Sequence, residues 1–147
     1  MNLSAGGFYS EEIGKDFRRV GFRVVTLDGK EASLAHVSLR QKTDSGKYGV
    51  DVDAINHVAI PAVYAAIEDR QVIVIDEIGP MQLKSPAFET VVDAALNASS
   101  PVIGTINQST SGYIGRVKAR ADVRIIKVTL SNRDALPARL RDCLQKG

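Results

Sequence analysis

Apolar and polar positions change their period along this chain. Up to Val52 they form short β-prone runs broken by turn residues, from Asp53 to Ile67 they repeat at helical spacing, and after Gln71 strand-like and helix-like runs alternate. Gly6–Ser10 (GGFYS) and Arg19–Leu27 (RVGFRVVTL), separated by a turn at Gly14, Lys15 and Asp16, predict a hairpin. Asp28-Gly29 is a second turn signal, which places a third strand over Ala32–Val37 and closes a small meander. Gln41–Lys47 is polar and reads as a mobile loop, and Tyr48–Val52 as a short extended run. Ile55, Val58, Ala59, Ala62, Val63, Ala66 and Ile67 then share one helical face, with Asp53 as the expected N-cap and Pro61 either kinking the helix or beginning its main part.

Val72–Ile75 is an aliphatic run without polar interruption, as expected of a strand buried on both faces of a parallel sheet. Ser85 and Pro86 predict the start of a helix whose buried stripe is Phe88, Val91, Val92, Ala95 and Leu96. Pro101–Ile106 is a further buried strand in this pattern, Gly112–Arg120 a short helix and Val123–Val128 the next strand. Ser131 and Asp134 resemble a capping box before a closing helix with Leu136, Leu140, Cys143 and Leu144 on its apolar face. Helices alternating with strands are the mark of parallel crossovers, so an α/β fold in a single domain is expected.

The strand at Val72–Ile75 runs straight into Asp76 and Glu77. Adjacent acids at the carboxyl edge of a parallel sheet lie where ligands of open α/β folds bind. In the catalytic reading, Asp76 holds Mg²⁺ through its water shell and Glu77 polarises the water that attacks a γ-phosphate. In the structural reading they are two solvated acids on a core strand. Thr105 closes the following strand, where its hydroxyl would orient that water or sense the phosphate. Arg116, Lys118 and Arg120 follow a polar loop, so one of them, Arg116 first, is a candidate for charge on the developing oxyanions; the trio also suits a solvated helix face.

With 147 residues, 44% hydrophobic and 24% charged, the chain suits an ordinary globular protein. No apolar run approaches the roughly 18 residues of a membrane span and no signal-peptide pattern opens the chain, so no membrane partner and a cytoplasmic setting are expected. One cysteine and two histidines exclude an internal disulfide and any zinc site of known spacing. The net charge of +2 conceals an asymmetry: residues 1–112 carry 10 Lys and Arg against 14 Asp and Glu, residues 113–147 carry 9 against 3. Such a basic final third suits either a nucleic-acid surface or solvated helices.

The runs GGFYSEE (Gly6–Glu12), RRVGFRVVTLDG (Arg18–Gly29), YGVDVDAI (Tyr48–Ile55), VIVIDEIGPMQLKS (Val72–Ser85) and VTLSNRDALP (Val128–Pro137) resemble, in order and over nearly the whole chain, the thermophile-type nucleoside-triphosphatase family. The resemblance implies a RecA-like P-loop NTPase fold of three layers on a mostly parallel sheet, with the N-terminal hairpin or meander beside it. It also implies Mg²⁺-dependent hydrolysis of nucleoside triphosphates such as ATP and GTP to diphosphate and phosphate. It puts the Walker B acids at Asp76 and Glu77, as the residues themselves suggested.

Three departures stand out. Family members place a strand, a GxxGxGKT phosphate loop and a helix ahead of the GFYSEE run, whereas no GxxxxGK[ST] run occurs anywhere in these residues. Gln82 stands where the family commonly has Glu, and Asn107-Gln108 lacks the basic residue often found there. The expectation is an N-terminally incomplete chain, lacking first strand, phosphate loop and first helix, with two ladder edges left unpaired and no hydrolysis on its own. The alternatives are a non-catalytic nucleic-acid- or protein-binding module on the same fold and, more distantly, a nucleotide kinase.

Overall fold

A computed structural model describes residues 2–39, 44–45 and 48–146. It contains two compact units, a large one over Ser4–Gln108 and a small one built chiefly from the residues after Gln108. The loop expected over Gln41–Lys47 lies outside the described residues except for Asp44 and Ser45.

The large unit holds one seven-stranded sheet of β1 (Ala5–Lys15), β2 (Arg18–Thr26), β3 (Glu31–His36), β4 (Asp44–Ser45), β5 (Tyr48–Val50), β6 (Val72–Ile78) and β7 (Val102–Ile106), in the order β4-β5-β3-β2-β1-β6-β7. The parallel character expected of the sheet is carried by the pairings of β6 with β1 and with β7. The meander beside it is antiparallel throughout, the turns from β1 to β2 and from β2 to β3 being too short for a crossover. The first of those turns falls at Asp16 and Phe17, both with positive φ, rather than at Gly14 to Asp16.

One helical region carries the chain from β5 back to β6. Its N-cap is Asp51, whose side chain accepts from the Asp53 amide, two residues earlier than expected. A short turn, α1 (Val52–Ala54), widens into a π-helical turn over Ile55–Ala59 before α2 (Ile60–Asp69). Pro61 lies in the first turn of α2, where its missing N–H does no harm, so it begins the main part of the helix. After β6 comes α3 (Pro86–Asn97), whose buried residues Phe88, Val91, Val92 and Ala95 belong to the expected stripe. Ser85 occupies its N-cap position, but the hydroxyl donates to Asn56 Oδ1 instead of capping the helix. Phe8 and Phe88 meet edge to face in this core, with centroids 6.1 Å apart, beside Ile55, Val63, Ile73 and Ile75.

Two glycines let the strands approach. At Gly7, φ is +111° and a Cβ would stand 2.0 Å from the Val74 carbonyl oxygen; at Gly104 it would stand 2.5 Å from that of Ile75. Both neighbours of β6 thus use a missing side chain where they pass its backbone.

The small unit holds α4 (Gly112–Lys118) and α5 (Leu136–Lys146). The strand expected over Val123–Val128 is absent among the described residues; the segment has no ladder partner, and without one a β-prone run has nothing to hold it extended in a sheet. Ile125, Val128 and Leu130 are exposed. The capping box expected at Ser131 and Asp134 is replaced by an exchange between Thr129 and Asn132, each side chain accepting from the other's amide at 3.2 and 2.8 Å. On α5 Leu136 is buried, Leu140 and Leu144 are partly so, and Cys143 is exposed, so the expected apolar face is narrower. Strand β7 is likewise not the buried strand expected: its only ladder neighbour among the described residues is β6, which leaves Gly104 and Thr105 exposed.

Because Gly7 combines a left-handed φ with contact to β6, Gly7→Ala should cost on the order of 3 kcal/mol. The check is a lower denaturant midpoint at unchanged m-value.

Candidate active site

The acids lie at an irregularity in the parallel ladder. Ile75 pairs with Gly104 and Ile78 with Ile106, so Asp76 and Glu77 together oppose Thr105 alone. An extra residue in one strand bends it and re-aims its side chains, and here the residues concerned are the two acids. The ladder resumes where the Asn107 amide donates to the Ile78 carbonyl at 3.0 Å. The peptide between Asp76 and Glu77 is cis.

Two hydroxyls hold Asp76. Thr105 Oγ1 donates to Asp76 Oδ1 at 2.6 Å, and Ser10 Oγ on β1 donates to the Asp76 carbonyl oxygen at 2.9 Å. Asp76 is therefore gripped from both flanking strands. Glu77 is half-buried, and burial first, then the neighbouring Asp76 carboxylate, raise its pKa above the ordinary glutamate value. A carboxylate so placed is a stronger base than a solvated one, which suits a group that takes or orients a proton of water. Its Oε2 lies 2.9 Å from the point where a Cβ on Gly79 would stand, so Gly79 makes room for it.

Of the residues expected at the site, Asp76, Glu77 and Thr105 come together in the large unit. Arg116 belongs to the small unit, on α4, with its guanidinium carbon 5.4 Å from the centre of the Tyr113 ring. Its companions are engaged locally: Lys118 Nζ donates to the Ser109 carbonyl at 2.8 Å, and Arg120 pairs with Asp122 at 2.8 Å. Ser10 was not singled out from the sequence. The signal for Ser10 was its place two residues after Phe8, which pairs with Ile75, but that register is a property of the folded sheet.

The donors gathered here are all oxygens, as a hard divalent cation requires. Among the described residues no cluster of three or more His, Cys, Asp or Glu side chains could hold a metal by itself. A Mg²⁺ ion fits such a set, since it commonly takes one or two carboxylates and completes its shell with water and substrate phosphates.

The parallel strand that ends in paired acids, and the strand beside it whose Thr105 hydroxyl bonds the first of them, belong to an α/β fold of the P-loop NTPase-like class. The chain belongs to the NTPase family, whose sequence model matches residues 1–141. It is 41% identical to the nucleoside-triphosphatase THEP1 of Thermofilum pendens over 141 residues, covering 94% of this chain and 78% of that one. To the nucleoside-triphosphatase THEP1 of Thermotoga petrophila it is 37% identical, covering 90% of this chain and 74% of the relative. The crystal structure of THEP1 from the hyperthermophile Aquifex aeolicus superposes with a TM-score of 0.84 at 31% identity, over 96% of this chain and 84% of that one. The solution structure of a human cancer-related nucleoside triphosphatase gives 0.79 at 33% identity, over 97% and 82% of the two chains. Among the described residues no helix is long and apolar enough to cross a membrane.

The raised pKa of Glu77 has a sign that can be followed in stability. The folded state keeps the proton that the unfolded chain loses, so stability falls as pH rises from the ordinary glutamate value through the raised one, and the deficit persists above it. Glu77→Gln should therefore raise the melting temperature at pH 7 to 8 and change it less at pH 4, as read by scanning calorimetry.

Proposed function

We propose that the chain supplies the acids for hydrolysis of nucleoside triphosphates, ATP and GTP among them, to diphosphate and phosphate, in the cytoplasm, acting with Mg²⁺ and a phosphate-binding loop. The observation that carries this reading is the bonded pair of Thr105 and Asp76 with half-buried Glu77 beside it at the carboxyl end of a parallel strand. The membership of the NTPase family supports it. Asp76 would hold the metal, directly or through its water, with Thr105 fixing the carboxylate's orientation. Bound there, the cation would neutralise charge on the β- and γ-phosphates.

Glu77 would orient the attacking water and accept its proton as the bond to the γ-phosphorus forms and the bond from that phosphorus to the β–γ bridging oxygen breaks, the nucleoside diphosphate leaving. Thr105, with its hydroxyl directed to Asp76, would keep the two carboxyl groups in separate roles: one is tied to this donor, the other is not bonded by it. Arg116 is the candidate cation for transition-state charge, on the strength of its position after the polar loop of residues 107–111.

Hydrolysis also needs donors for the phosphates, and the 147 residues contain no GxxxxGK[ST] run. A polypeptide of residues 1–147 alone should bind ATP or GTP no better than the millimolar range and release no phosphate. One extended upstream by a strand, a GxxGxGK[ST] loop and a helix, roughly 25 to 30 residues by usual element lengths, should gain binding, turnover and thermal stability. Isothermal titration and a phosphate-release assay compare the two; micromolar binding by the shorter one would relocate the phosphate site.

In a hydrolysing form, Glu77→Gln should lower turnover by roughly 10² or more with nucleotide affinity little changed, and Asp76→Ala should lose Mg²⁺-dependent binding as well. Arg116→Ala should lower kcat with ground-state binding retained. Steady-state kinetics with a Mg²⁺ titration separate these outcomes. Equal turnover in wild type and Glu77→Gln would remove Glu77 from the mechanism.

A further inference from the structure

Directly after the acids the chain turns back at Gly79 and Pro80, and Gln82 opens a short 3-10 turn over Gln82–Lys84. Gln82 is only 3% exposed, yet its Oε1 is buried without a hydrogen-bond partner. A buried acceptor in that condition costs stability, and such groups in folded proteins call for a reason. The reason lies next to it. Glu77 Oε2 and Gln82 Oε1 are 2.9 and 3.1 Å from the point where a Cβ on Gly79 would stand. Gly79 does not have a positive φ, so its backbone would accept alanine. What glycine supplies at this position is space for the ends of two side chains.

We propose that Gly79 and Gln82 form a seat for the Glu77 carboxyl group, with Gln82 as a positioning residue whose amide hydrogen-bonds that carboxyl. An amide presents an acceptor at one end and two donors at the other, and a half-turn about its last bond exchanges them. With Nε2 in the place of the orphaned oxygen, the buried end becomes a donor facing the same Gly79 Cβ position as the Glu77 carboxylate, placed to make a charge-assisted hydrogen bond to it, and the acceptor is no longer stranded. Glutamate has three side-chain torsions, so a half-buried glutamate that must face one water molecule gains from such a tether. Gln82 does not touch the reacting atoms in this scheme; it acts through Glu77. The consequence for turnover rests on the hydrolytic role proposed for Glu77, but the hydrogen bond itself does not.

The test begins with the side-chain amide resonances of Gln82 in ¹⁵N-edited spectra of the 147-residue chain without nucleotide, assigned by their loss in Gln82→Met. Glu77→Leu should shift them and speed their exchange with water, whereas Asp69→Asn, at the far end of α2, should leave them in place. Gly79→Ala should keep the backbone spectrum of the folded chain and move the same resonances, which decides the matter should Glu77→Leu fail to fold. In a hydrolysing form, Gln82→Met and Gly79→Ala should each lower kcat about tenfold with KM little changed, the pattern of a misplaced catalytic group. Gln82 resonances indifferent to both Glu77→Leu and Gly79→Ala would overturn the seat, even with turnover intact. Coupled resonances together with no hydrolysis by the form extended with a phosphate loop would leave the seat standing and sink the hydrolytic role.

Discussion

The pairing of β6 on both edges is the constraint from which the rest follows. A parallel strand bonded on two sides has its carbonyls and amides committed, so its register, and with it the height of everything at its carboxyl end, is set by β1 and β7. Closeness is secured by the absence of side chains at Gly7 and Gly104, each of which passes a carbonyl of β6 where a Cβ could not. Ile73, Ile75, Phe8 and Phe88 are fully buried, with Phe8 of β1 against Phe88 of α3, and that burial helps to hold the strands to the helices.

That rigidity is what permits the irregularity beyond Ile75. Two acids opposite one threonine would be a fraying strand end in a loose sheet; between two held strands they are a fixed pair with separate environments. Asp76 receives hydroxyls from Thr105 on one side and the Ser10 side chain at its carbonyl on the other. Glu77 is turned toward Gly79 and loses part of its solvation. The cost of keeping a half-buried carboxylate near another is borne by the packed strands below it, a common bargain where chemistry requires a group that folding alone would not favour.

The family and the strand that ends in the two acids were legible without coordinates because both depend on residues close together in the chain. Val72–Ile75 followed by Asp76 and Glu77, and Ser85-Pro86 before the Phe88 stripe, announce a strand, its acids and a helix through local periodicity and end signals. Membership of the NTPase family rests on runs of the same kind.

Other features were decided only by what each segment met in three dimensions. Val123–Val128 has the composition of a strand but lies outside any ladder, because β structure needs a partner that no local pattern supplies. The cap of the helical region moved from Asp53 to Asp51, since only one of the two has its side chain facing a free amide. Thr105 meets Asp76, and Ser10 the carbonyl behind it, through registers spanning 29 and 66 residues. Composition and period determined which segments are able to form strands and which of them end in acids; the tertiary pairing decided which of those segments join a ladder and which side chains touch, because hydrogen bonds across a sheet are formed between residues that the chain itself keeps far apart.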